Sequence, residues 1–130
     1  IEIEILGLGM SRLESGYLPM APSPAAFNAL KNAGLSISDV AAIKTHNPFA
    51  VNDIALTRDT GFAWERMNNY GSSIIWGHPQ APTGMRAIIE LIEELVLRGG
   101  GVGLFTGCAA GDTGYATVLR VTDTKTTSKA

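Results

Sequence analysis

The sequence predicts one α/β domain, a layered mixed β-sheet with helices on both faces. Three observations predict it. Strand-type and helix-type patterns alternate along the 130 residues. Two C-terminal strand patterns are joined by a small-residue turn, which makes them antiparallel neighbours. One long helix carries an apolar stripe too wide for burial on a single side.

The elements follow in order. "IEIEILGLGM" alternates apolar residues at Ile1, Ile3 and Ile5 and reads as a strand. "RLESGYLPMAPS" is a loop punctuated by Gly and Pro. "PSPAAFNALKNAG" reads as a helix that Ser23 can cap, with Pro24 in its first turn and Gly34 at its end. A short buried strand follows, roughly Val40 to Thr45, and then a helix in "PFAVNDIALTRDTG" closed by Gly61. "MNNYGSSIIWGHP" is mostly loop around one apolar, strand-like run. In "TGMRAIIELIEELVLRGGG", Met85, Ile88, Ile89, Ile92, Leu95 and Val96 fall at helical spacing. Ala87 and Leu91 widen that stripe, while Arg86, Glu90, Glu93 and Arg98 are expected to face away. "GVGLFTGC" and "GYATVLRV" read as the paired strands. The domain is expected over residues 1–122, with a polar tail at 123–130.

Composition narrows the function classes. Hydrophobic residues make up 45%, charged residues 17%, and the net charge is −2, as in a globular domain with a real core. There is no basic stripe for nucleic acid and no polybasic patch for an anionic membrane. No apolar run reaches a membrane span of ~18 residues, and no signal peptide is visible. One cysteine makes no internal disulfide, so a reducing, cytoplasmic setting is expected. The chain starts at Ile1 inside a strand pattern, so it reads as a processed product, a truncated chain or part of a longer polypeptide.

The chemistry-bearing residues gather at strand ends. His46 closes the second strand, ahead of Asn47 and Pro48; Cys108 closes the "GVGLFTG" strand, ahead of Ala109, Ala110 and Gly111. His78 sits in a Gly-His-Pro loop. Ligands of open α/β sheets collect at the carboxyl ends of strands, near helix N-termini. Each residue alone has a plain structural explanation: a loop histidine, a capping histidine, a small core cysteine. Their joint placement points to acyl chemistry using Cys and His. Two His and one Cys scattered along the chain form no metal-binding cluster, and nothing calls for adding Asp53 or Asp112. No Walker loop or dinucleotide fingerprint is present.

Three motifs in register carry a family resemblance. "NNYGSSIIWGHPQAPTGMR", "GLFTGCAAGDTGYA" and "THNPFAVND" resemble the Gly-His-Pro, Cys-x-Gly and Asn-Glu-Ala-Phe segments of thiolases, the last in the variant with His first. The opening "LGLGM" strand and "APSPAAFNALKNAGLSISDV" resemble the start of a thiolase C-terminal domain, so the likeness spans nearly the whole chain. It implies one half of a thiolase-like fold of the acetyl-CoA acetyltransferase or 3-ketoacyl-CoA thiolase type. The implied activity is Claisen condensation or thiolytic cleavage of a 3-ketoacyl-CoA, through an acyl-enzyme on a cysteine outside this chain. That is an acyltransferase of lipid metabolism, with a coenzyme A thioester as substrate and no bound cofactor or metal.

Roles transfer residue by residue. His78 matches the base that takes a proton from the nucleophilic cysteine. Cys108 matches the second cysteine, which moves the proton at the α-carbon. His46 stands where an oxyanion-hole residue is expected. Phe49, Pro48 and Gly77 fall where the acyl-CoA binds, and the backbone N–H near Ala110, also among the substrate-binding positions, falls where the second oxyanion hole is built. Histidine suits a role that both accepts and returns a proton. A thiol, with an ordinary pKa near ~8.5, becomes a base where thiolate is favoured.

The sequence departs from the pattern at Asn47 and Pro48, where Glu-Ala is usual; at Ala110, where Gly is usual; and at Tyr70 and Ser72, where Asn and Gly are usual. Pro48 lacks an N–H, and Ala110 offers its own only at negative φ. Nothing matches the first half of a thiolase. The implied partner is therefore an N-terminal half, on the same polypeptide or a separate subunit, within a homo- or hetero-oligomer. The chain alone is expected to be inactive. The alternative is a non-catalytic thiolase-like domain or subunit serving acyl-CoA binding or assembly.

Overall fold

The structure is a computed structural model and describes residues 1–123. Its elements are β1 (Glu2–Arg12), α1 (Pro22–Ala33), β2 (Ala42–His46), α2 (Ala50–Thr60), α3 (Ser73–Trp76), α4 (Ala81–Leu97), β3 (Gly100–Ala109) and β4 (Thr113–Thr122). The sheet order is β1-β4-β3-β2. β4 pairs antiparallel with both β1 and β3, and β2 pairs parallel with β3. The sheet is therefore mixed, as expected, with α1 on one face and α4 on the other. Apart from Asp123, the polar tail lies outside the described residues.

Two cores sandwich the sheet. Beneath α1, Ala25, Ala29 and Leu30 pack with Ile43, Leu56, Leu104 and Val118. Beneath α4, Leu91 and Leu95 pack with Ala42, Leu119 and Val121. α1 lies almost in contact with β1 because Gly7 and Gly9 have no side chain. A Cβ at Gly9 would overlap the Ala25 carbonyl and the Ala29 amide. Gly9→Ala should therefore push α1 off the sheet and cost ~1–3 kcal/mol, as overpacking does. A chemical denaturation midpoint equal to that of the parent would contradict this packing.

β1 is a strand, but its isoleucines are not its buried face. The pairing with β4 shifts register between Ile5 and Gly7. One extra residue turns the following side chains to the opposite face. Gly7 and Gly9 thus meet α1, while Ile3, Ile5, Leu8 and Met10 share the α4 side. There α4 covers β2 and β3 and leaves β1 largely bare, so Ile5 is 66% exposed. Tyr115 on β4 and Met85 and Ile89 on α4 are exposed as well.

Other local expectations shift. Ser23 does not cap α1: the helix starts at Pro22, with Ala21 as N-cap, and Ser23 is buried inside it. Proline fits that first position because its missing N–H would have had no helical partner. Gly34 and Gly61 do close their helices, at φ 67° and 73°. The strand-like "SSIIW" run is the single turn α3, not a strand. On α4, Leu91 and Leu95 are the buried centre of the stripe. Arg86 and Glu90 do not face away, because they pair with groups of β2 and the Gly-His-Pro loop.

Candidate active site

β2 ends at His46, and the corner of residues 47–49 turns the chain into α2. Asp53 in the first turn of α2 holds that corner. Its carboxylate accepts from Thr45 Oγ1 at 2.7 Å, Asn47 Nδ2 at 2.6 Å and Asn68 Nδ2 at 3.4 Å. Asn68, at φ 53°, also accepts the Thr45 amide through its Oδ1. Asp53 is thus a structural clamp, which sequence reasoning had weighed only as a metal ligand. The Phe49 amide donates to Asn52 Oδ1 at 3.2 Å, and the Phe49 ring is exposed. Pro48 is half-buried.

His46 pairs with Gly107, the residue before Cys108. A Cβ at Gly107 would stand 2.8 Å from the His46 Cβ, so this glycine makes room for the imidazole. His46 is only 8% exposed, and its Nδ1 lies 2.8 Å from Ser73 Oγ. Its ring centroid lies 4.2 Å from that of His78, with the planes tilted by 38°. Burial, and then the electrostatic influence of the neighbouring His78 and Arg86, push the His46 pKa down to about 4. The ring is therefore neutral at neutral pH.

His78 is exposed at the rim, and its Nδ1 lies 2.8 Å from Oγ1 of the buried Thr83 in the first turn of α4. Gly77 before it takes φ 83°, which glycine adopts at little cost. Arg86 donates to the Gly77 carbonyl at 3.1 Å and lies 3.8 Å from Glu90. Glu90 in turn pairs at 2.8 Å with Lys44, which is 1% exposed and also donates to the Gly71 carbonyl. A buried charge is tolerable when paired and hydrogen-bonded. This one ties β2, α4 and both ends of the loop together.

Cys108 is a free, partly buried thiol. Asn52 Nδ2 approaches its sulfur at 3.9 Å and also donates to the Pro19 carbonyl at 3.3 Å. Burial pushes the thiol pKa up, and the Asn52 bond opposes this only in part. Strand alternation sends Cys108 toward α2 and His46 toward α4. The two histidines are in contact, whereas Cys108 shares their edge of the sheet but not their face. Ala110 is exposed and keeps a negative φ, ahead of Gly111 at 79° and Asp112 at 59°.

Sequence reasoning missed Ser73, Thr83, Asn52 and Lys44. Asn52 stands three residues after Phe49, at capping-box spacing, which could have flagged it. Ser73 and Lys44 find partners 27 residues away, which no local pattern reveals. Among the described residues, no three His, Cys, Asp or Glu side chains gather to hold a metal ion. Nor is any helix among them long and apolar enough to cross a membrane. A concavity of about 350 Å³ between Gly99 and Arg120 lies at the opposite end of β3 and contains none of these residues.

The family model described as "Thiolase, C-terminal domain" matches residues 3–121. A 3-ketoacyl-CoA thiolase of Aliivibrio fischeri is 42% identical over 119 residues, covering 78% of this chain and 27% of that protein. An acetyl-CoA acetyltransferase of Syntrophomonas wolfei is 33% identical over 118 residues, covering 89% of this chain and 30% of its own length. The crystal structure of human mitochondrial 3-ketoacyl-CoA thiolase superposes with a TM-score of 0.87 at 31% identity, over 92% of this chain and 30% of that one. A second human structure, of the complex with CoA, superposes with a TM-score of 0.86. The chain thus spans less than a third of the length of these relatives.

Proposed function

The chain belongs to the thiolase C-terminal domain family, and from that premise we propose that it is the catalytic C-terminal half of a thiolase-type acyltransferase. The observation that carries the reading is the pair of imidazoles in contact, one buried and neutral and one at the rim, at the end of the sheet that also holds Cys108. In the proposed cleavage, His78 takes the proton of a nucleophilic cysteine supplied by the N-terminal half. The thiolate attacks the 3-keto carbon and the carbon–carbon bond breaks. Cys108 then delivers its proton to the departing α-carbon. The coenzyme A thiol attacks the acyl-cysteine and passes its proton to the Cys108 thiolate, and the leaving cysteine takes its proton back from His78. In condensation, the Cys108 thiolate takes that α-proton instead. His46 donates an N–H to the oxygen that gains charge, and such donors contribute on the order of 3 kcal/mol each. Phe49, Pro48, Gly77 and Ala110 line the approach of the acyl-CoA.

The apolar strip of Ile3, Ile5, Leu8 and Met10, continued by Ile89, supports an N-terminal half as its cover. The reading includes a cytoplasmic setting, in which Cys108 stays reduced, and assembly as an oligomer. The test is thiolysis of acetoacetyl-CoA by the chain alone and by the chain joined to a thiolase N-terminal half. Turnover should appear only in the joined form. Equal turnover by the isolated chain would refute the reading. Acyl-CoA binding without turnover by the joined form would favour a non-catalytic domain.

A further inference from the structure

We infer that Ser73 is a positioning residue that donates its hydroxyl hydrogen to His46 Nδ1 and so fixes the imidazole with its proton on Nε2. The inference rests on the catalytic reading above for its consequence, but its geometry stands independently. Ser73 is 6% exposed, and its Oγ lies 2.8 Å from His46 Nδ1. A buried hydroxyl hydrogen without an acceptor is costly. If Nδ1 carried the ring proton, the ring would be the donor and the serine hydrogen would need another acceptor. The hydroxyl satisfies itself by donating to an unprotonated Nδ1. The single proton of a neutral ring then sits on Nε2, and burial keeps His46 neutral.

The placement of Ser73 explains why this segment is a helical turn. Ser73 opens α3, and its carbonyl accepts the Gly77 amide at 2.9 Å. Gly71, at φ 113°, leaves space that the Trp76 indole fills; any Cβ there would overlap the ring. One turn therefore carries Ser73 against the first histidine at its start and presents the second histidine, His78, just past its end. A neutral imidazole serves an oxyanion only as an N–H donor. The serine selects the tautomer in which Nε2 is that donor, since Nδ1 is already engaged.

The chain has two histidines, so selective ¹⁵N-histidine labelling gives a spectrum that can be assigned. The labelled chain, assembled with an unlabelled N-terminal half, is examined by long-range ¹H–¹⁵N correlation, and His78→Gln identifies the remaining ring. The expected His46 pattern is an unprotonated Nδ1 and a protonated Nε2. Ser73→Ala should mix the two tautomers, and Ser73→Thr should restore the single one. In turnover, Ser73→Ala should lower kcat about 10- to 100-fold, short of the ~10²- to 10³-fold cost of losing one oxyanion donor outright. KM should change less than about twofold, because the interaction belongs to the transition state. A protonated Nδ1 in the parent protein would overturn the inference, even if Ser73→Ala fails to fold. An unchanged tautomer in a folded Ser73→Ala would also overturn it. The spectrum needs no activity, so failure of the catalytic reading would be seen separately.

Discussion

Replacing His78 with alanine, in the enzyme assembled with its N-terminal half, should reduce turnover by about 10²- to 10⁴-fold, the usual contribution of a general base. His46 is buried, neutral and occupied at Nδ1 by Ser73, so it is poorly placed to replace the lost base. His78 is at the rim, anchored through Nδ1 to the buried Thr83 and carried on a loop held by Arg86. Its Nε2 is the nitrogen left for a group arriving from outside the chain. A nucleophilic thiol without that base stays largely protonated at neutral pH, and both half-reactions fail together. The fold should survive, because the ring is exposed and its one bond to Thr83 contributes about 1 kcal/mol. A variant that melts like the parent and turns over at the parental rate would remove His78 from the mechanism.

Cys108→Ala should stop carbon–carbon bond cleavage, again by about 10²- to 10⁴-fold, while leaving the acylation step intact. The thiol sits at the end of β3 on the α2 side, with Asn52 as its polar neighbour. Burial raises its pKa, so at rest it holds its proton. That state suits a group that gives a proton to the departing α-carbon and recovers it in the reverse direction. The same state argues against Cys108 as the attacking nucleophile, which needs thiolate at the outset. The substitution removes one sulfur from a partly buried site, and stability should fall by ~1 kcal/mol or less.

The strands and long helices were legible because their periodicities are long and glycines mark two of the helix ends. Gly34 and Gly61 mark true helix ends, and the β3–β4 hairpin follows from two apolar runs around a small-residue turn. The placement of the faces was not legible. The alternation of Ile1, Ile3 and Ile5 reveals a strand but not the shift after Ile5, nor the helix so close to Gly7 and Gly9 that only glycine fits. α3 was hidden because a single turn is too short to show helical period, and two adjacent isoleucines imitate a strand. At the site, strand ends and motif spacing singled out His46, His78 and Cys108. The groups that hold them, Ser73, Lys44 and Glu90, act across the fold, through contacts that depend on the assembled sheet.

The most direct test of the central claim, that His78 and Cys108 perform separate steps of thiolase chemistry, is single-turnover acyl labelling of the assembled enzyme. It is run on the parent, His78→Ala and Cys108→Ala, alongside steady-state thiolysis of acetoacetyl-CoA. A simple acyl-CoA donor is used for labelling, so that no carbon–carbon bond need break. Cys108→Ala should take up label as the parent does yet fail in thiolysis, and His78→Ala should fail in both. Loss of labelling in Cys108→Ala as deep as in His78→Ala, or full thiolysis in either variant, would contradict the division of roles.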